Sequence, residues 1–84
     1  MHVIVELYGD LKRVLGTQSV ELSLDGLVRV EDIINFLREK NASKFGSEAF
    51  EILVNGTNVR GLMGVKTELK DGDVVSLIPI VEGG

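Results

Sequence analysis

The sequence has no cysteine, one histidine and one proline in 84 residues. Without cysteine there is no disulfide, no thiolate metal ligand and no thiol nucleophile. Stability must then come from packing alone, and the cysteine count points to a cytoplasmic protein. The one histidine, His2, stands at the amino end, where it reads as a solvated terminal side chain. That excludes a Ser-His pairing elsewhere in the chain and a metal site built from several imidazole and thiolate ligands. Basic residues are also few: nine Lys and Arg against thirteen Asp and Glu, for a net charge of −4. Binding to a phosphate backbone needs clustered cations, so nucleic acid is not an expected partner, whereas a basic protein surface would suit this charge. No apolar run approaches the roughly 18 residues a membrane span requires. Glu6 follows the amino end too closely for a secretory leader, so neither membrane nor export is expected. No glycine loop carries the Lys and Ser/Thr of a phosphate-binding loop, and Gly61 to Gly64 is too short for one. The chain itself is therefore expected to bind no metal and no cofactor, and not to act as an enzyme alone.

What remains is 44% hydrophobic and 26% charged, a globular composition of a length that stabilises a single core. Residues 1–84 are accordingly expected to be one domain. His2 to Tyr8 is a β-rich run with Val3, Val5 and Leu7 on one face and Ile4 opposite, which predicts a central strand. Asp10 is placed to cap a short helix over Leu11 to Leu15, with Gly16 as its stop. Ser19 to Leu24 alternates, with Val20, Leu22 and Leu24 on the buried side. Val30, Ile33, Ile34 and Leu37 fall at i, i+3, i+4 and i+7, which predicts the main helix over Val30 to Lys40. Glu31 and Asp32 suit its amino end, Arg38 and Lys40 its carboxyl end, and Asn41 stops it. Phe36 lies off the stripe, on the flank.

Lys44 to Glu48 reads as a polar loop and Phe50 to Val54 as a strand. Asn55-Gly56 predicts a tight hairpin turn, with a short strand returning near Thr57 to Arg60. A flexible connection over residues 61–64 and a second turn at Asp71-Gly72 follow. Val74 to Ile80 is the last strand, apolar on both faces. Pro79 cannot donate to a ladder, so pairing is expected to stop there. Residues 82–84 then form a flexible tail. The first and last strands are the most apolar, which predicts that they are neighbours at the centre of one sheet with the main helix across one face. This is an α+β architecture of the β-grasp (ubiquitin-like) kind, with a mixed sheet of about five strands.

The paired acids Glu31/Asp32 and Asp71/Asp73 have structural explanations, as helix-start and turn residues. The chemistry that remains is at the end, Gly83-Gly84. Two residues without Cβ can thread a narrow channel, and an unhindered terminal carboxylate can attack a nucleotide phosphate.

The chain resembles the MoaD/ThiS family of sulfur carriers, relatives of ubiquitin, and looks most like its MoaD branch. The resemblance runs through Val3-Ile4-Val5-Glu6-Leu7-Tyr8 to Leu15-Gly16, then Val30-Glu31-Asp32-Ile33-Ile34-Asn35-Phe36-Leu37. It continues through Ile52-Leu53-Val54-Asn55-Gly56 and Leu69-Lys70-Asp71-Gly72-Asp73-Val74-Val75 to Leu77-Ile78-Pro79-Ile80-Val81-Glu82-Gly83-Gly84. Members often have a second proline where Ile80 stands, and a small residue where Glu82 stands. The resemblance implies that an activating enzyme (MoeB/ThiF-like) uses ATP to adenylate the Gly84 carboxylate, and that a sulfur donor protein converts it to a thiocarboxylate. The large subunit of molybdopterin synthase (MoaE-like) would then receive the tail, where the sulfur builds a molybdenum or tungsten cofactor. Protein modification through Gly84, or sulfur carriage for thiamin or tRNA, needs the same activation. By the same resemblance Gly84 is the reacting group and Gly83 gives slimness. Pro79, Ile80, Val81 and Glu82 lead into the tail, and Ile78 is a candidate for the docking patch.

Overall fold

The computed structural model describes residues 1–41 and 49–80. Five strands, β1 (His2–Leu7), β2 (Ser19–Ser23), β3 (Phe50–Val54), β4 (Thr57–Asn58) and β5 (Val74–Pro79), form one sheet in the order β2-β1-β5-β3-β4. The first and last strands lie side by side at its centre, as their composition predicts. β1 and β5 run parallel, with Val5 opposite Val75 and Leu7 opposite Leu77. The other pairings are antiparallel. Helices α1 (Asp10–Leu15) and α2 (Val30–Lys40) complete the β-grasp fold.

Packing follows from two periods meeting. Every second residue of β1, Val3, Val5 and Leu7, faces the same side as Val75 and Leu77 of β5 and Ile52 and Val54 of β3. Against them α2 lays Val30, Ile33, Ile34 and Leu37, all buried. Each such side chain contributes about 1.5–3 kcal/mol on burial, far more than the exposed ion pairs around it. Phe36 packs from the flank. The Arg29 N–H donates to the Asp32 carboxylate at 2.8 Å and fixes the start of α2. Asn41 ends it, its backbone N–H and its side-chain amide both donating to the Leu37 carbonyl.

The turns obey their glycines. Asn55 (φ 50°) and Gly56 (φ 85°) both take positive φ, the geometry that matches a hairpin's twist. At the second turn the Asp71 carboxylate accepts from the His2 N–H at 2.7 Å, and the Gly72 N–H donates to the His2 carbonyl at 2.7 Å. This turn therefore anchors the start of β1.

Four local expectations need correction. Asp10 does not cap α1; it is the first helical residue, Gly9 precedes it as the cap, and no side chain caps that end. The return strand is only Thr57–Asn58, because the Asn58 side chain accepts from the Arg60 N–H and opens a 3-10 turn over Val59–Gly61. The connection after it is not shapeless: a second 3-10 turn, Gly64–Lys66, is closed by the Thr67 hydroxyl donating to the Gly64 carbonyl at 2.6 Å. Pairing also outlasts Pro79, which lies opposite Phe50, and the Ile80 N–H reaches the Ala49 carbonyl at 3.1 Å. The proline is tolerated because its missing N–H faces the side where β1 has already ended. The predicted loop over residues 44–48 and the residues of the tail from 81 onward lie outside the described residues.

Candidate functional site

The site grows from the face of the sheet that α2 leaves open. Odd positions of β1 and β5 pack inward, so the even ones point out. Ile4, Glu6, Val74, Ser76 and Ile78 share this face with Glu51 and Leu53 of β3, through the registers Glu6–Ser76, Ser76–Leu53 and Ile78–Glu51. Strands apolar on both sides thus have one side covered and one uncovered. Ile4 is 38% exposed, Ile78 36% and Ile80 44%, against 0% for Leu77, the residue just before Ile78. Ile78 is therefore a residue of the open face and not of the core.

Acids frame these isoleucines. Glu21 of β2 lies 3.5 Å from the His2 imidazole. The Ser76 hydroxyl donates to Glu6 at 3.4 Å. Glu51 is held by two groups: the Asn58 side-chain amide donates to it at 3.0 Å, and the Arg60 guanidinium pairs with its other oxygen. The face thus carries Ile4 at one end and Ile78 at the other, with the Glu6–Ser76 pair between them and Glu21 and Glu51 beside them.

At one end of this face the chain passes from Ile78 through Pro79 to Ile80. Pro79 is half-buried and lies against Gly9, while Ile80 is exposed and hydrogen-bonded to Ala49. Of the site residues taken from the sequence, the structure therefore joins Ile78, Pro79 and Ile80 at the end of β5. Val81, Glu82, Gly83 and Gly84 lie outside the described residues. Sequence reasoning missed Ile4, the Glu51–Arg60 pair and Gly9. Ile4 carried a signal, as the apolar residue on the wrong face of β1. Glu51 and Arg60 are nine apart and carried none. Among the described residues no three His, Cys, Asp or Glu side chains gather as a metal site would require, and no helix is long and apolar enough to cross a membrane.

A five-stranded mixed sheet with a helix across one face, and an open apolar and acidic face running into the carboxyl end, defines a ubiquitin-like β-grasp domain. The chain belongs to the ThiS family, whose model matches residues 5–84. A proposed sulfur carrier protein of Archaeoglobus fulgidus is 50% identical over 38 residues, 45% of this chain and 43% of that protein, so the match spans under half of its length. Small archaeal modifier protein 3 of Haloferax volcanii is 28% identical over the whole of both chains. Among solved structures, a proposed subunit 1 of molybdopterin converting factor from Pyrococcus furiosus has a TM-score of 0.83 at 30% identity. That alignment covers 96% of this chain and 99% of the other.

Proposed function

We propose that this chain is a carrier whose Gly84 carboxylate is activated by adenylation in a partner enzyme. In that step a carboxylate oxygen attacks the α-phosphorus of ATP, pyrophosphate leaves, and an acyl adenylate remains. The chain contributes the reacting carboxylate and its delivery. The partner contributes the nucleotide pocket and the electrostatic stabilisation of the charge that develops. The observation that carries the reading is the open face of Ile4 and Ile78 among Glu6, Glu21 and Glu51, in a ThiS-family chain whose sequence reaches Gly83-Gly84 a few residues after Ile78. Such a face docks the body while two residues without Cβ enter the partner.

The activated end has two uses. Attack by a lysine amine on the acyl adenylate would expel AMP, lose the amine proton and join Gly84 to another protein through an isopeptide bond. The full-length likeness to a small archaeal modifier protein favours this use. Attack by hydrosulfide, or by a donor persulfide whose acyl disulfide a second thiol then reduces, would likewise expel AMP but leave a thiocarboxylate, the form that delivers sulfur. The likeness to a proposed molybdopterin converting factor subunit favours a MoaD-like role in which the sulfur goes to a pterin held by a MoaE-like large subunit. Sulfur delivery to thiamin or tRNA would use the same thiocarboxylate.

Intact-mass spectrometry of the untagged chain from its source cells, with peptide mapping of the lysates, tests the reading. Replacement of one oxygen by sulfur at Gly84 establishes sulfur carriage. Gly84 joined to lysines of other proteins establishes modification. An end that is never thiolated or conjugated, and that no activating enzyme of the source adenylates, overturns both.

A further inference from the structure

Six glycines among the described residues adopt positive φ: Gly9, Gly16, Gly26, Gly56, Gly64 and Gly72. For five of them a Cβ would meet nothing within 4 Å, so backbone conformation alone accounts for the residue. Gly9 differs. A Cβ there would lie 3.3 Å from Cγ and 3.5 Å from Cδ of the Pro79 ring. Its φ of 57° with ψ of −138° also falls where residues bearing a Cβ are strained. Gly9 is thus the point where the cap of α1 closes onto the last residue of β5.

That residue, Pro79, ends β5 and stands five before Gly84 in the sequence. On the β1 side, the Tyr8 N–H bonds the Leu77 carbonyl at 3.1 Å; two residues on, the ring of Pro79 rests on Gly9. On the β3 side the Ile80 N–H bonds the Ala49 carbonyl at 3.1 Å. The chain therefore leaves the sheet between a ring-on-glycine contact and one backbone hydrogen bond. The pyrrolidine ring fixes φ, so a push on it is passed to Ile80.

We propose that Gly9 is a positioning residue: by allowing the Pro79 ring to seat against the α1 cap, it sets the direction in which the tail leaves the body. This rests on the carrier reading above. A tail aimed in advance reaches a partner's reaction centre with less to order on binding. A Cβ 3.3 Å from the ring asks for a smaller shift than the misplacement of about 1 Å that can cost ~100-fold, so a loss of about tenfold is expected.

The test uses the full chain and the adenylating enzyme of its source, read by ATP–pyrophosphate exchange, together with the Ile80 amide followed by NMR. The variants are Gly9→Ala, Pro79→Ala, the two combined, and Gly72→Ala. Gly72→Ala is a control that carries positive-φ strain at the opposite end of β5. Gly9→Ala is expected to raise KM for the carrier about tenfold while kcat stays within about twofold. It should also shift the Ile80 amide resonance and speed its hydrogen exchange. Gly72→Ala should leave KM and the Ile80 amide as in the wild type. Pro79→Ala, whose Gly9 backbone is untouched, should loosen the same amide, and adding Gly9→Ala to it should raise KM no further. The proposal is overturned if Gly72→Ala raises KM as much as Gly9→Ala does, or if neither Gly9→Ala nor Pro79→Ala disturbs the Ile80 amide. If the wild-type chain supports no exchange at all, it is the carrier reading that fails. The Ile80 amide then decides alone whether Gly9 holds Pro79.

Discussion

Leu77 and Ile78 are consecutive on the central strand and point in opposite directions, so truncating each in turn separates folding from docking. Leu77 is fully buried among β1, β3 and α2. Replacing it with Ala removes its apolar area from the core and leaves a cavity that the flanking strands cannot close, at a cost of about 3 kcal/mol. For a domain of this size that corresponds to a fall of about 12–24 °C in Tm. Ile78 keeps 36% of its surface in solvent, so neighbours and water can fill the space an Ala leaves. Its truncation should cost about 1 kcal/mol, or about 4–8 °C. Affinity for the activating enzyme should reverse the order. Ile78→Ala should weaken binding about tenfold, the loss expected for an apolar residue central to an interface. Leu77→Ala, measured well below its Tm, should bind nearly as the wild type does. Urea unfolding with unchanged m gives the first pair of numbers, and calorimetric titration gives the second. Equal destabilisation by the two variants would show that Ile78 is packed as core. Wild-type affinity in Ile78→Ala would remove the open face from the docking surface.

Further expectations follow from single contacts. Deleting Gly84 should abolish pyrophosphate exchange with the activating enzyme and leave Tm nearly unchanged; exchange retained by the deletion variant would refute the role of that carboxylate. Asn55→Ala should cost about 1–2 kcal/mol in urea unfolding, because the side chain both accepts from the Val74 N–H at 2.9 Å and donates to Asp73 at 2.9 Å, at a φ that Ala disfavours. Asn55→Gly, which restores the φ but not the bonds, should recover part of that loss. Lys66→Ala breaks the 2.8 Å pair with Glu31 that ties the second 3-10 turn to α2. Its ammonium is largely in water, so the loss should stay below about 0.5 kcal/mol and vanish in 1 M salt.

The sheet and main helix were legible in the sequence because burial imposes a period. α2 begins and ends where its apolar stripe, its charges and Asn41 place it. The centrality of β1 and β5 was legible from their apolar content. What that content did not say is which apolar residues stay exposed on the face that the helix leaves open, Ile4 and Ile78. Boundaries set by side-chain hydrogen bonds were not legible: Asn58 ends β4 by accepting from Arg60, a competition that composition does not encode. Asp10 looked like a cap because caps are usually short polar residues, yet the cap position is filled by a glycine at positive φ that lies against Pro79, seventy residues away. A local signal cannot announce a partner at that distance. The docking face was half legible. Ile78 was a candidate, but Ile4 and the Glu51–Arg60 pair belong to it only once three strands are aligned.

The parallel pairing of β1 with β5 bears on when this domain can fold. The strand that joins the two halves of the sheet is the last one, so Val5 must wait for Val75 before the core closes. Contacts of such sequence separation make folding slow relative to local helix formation, and they make it all-or-none along the chain. A chain cut upstream of β5 lacks the strand that bridges β1 and β3, which leaves only side-chain packing under α2 to link the two halves of the sheet. Compactness therefore certifies completeness up to Pro79: any molecule that a partner recognises by its folded open face has already brought the base of the tail into place.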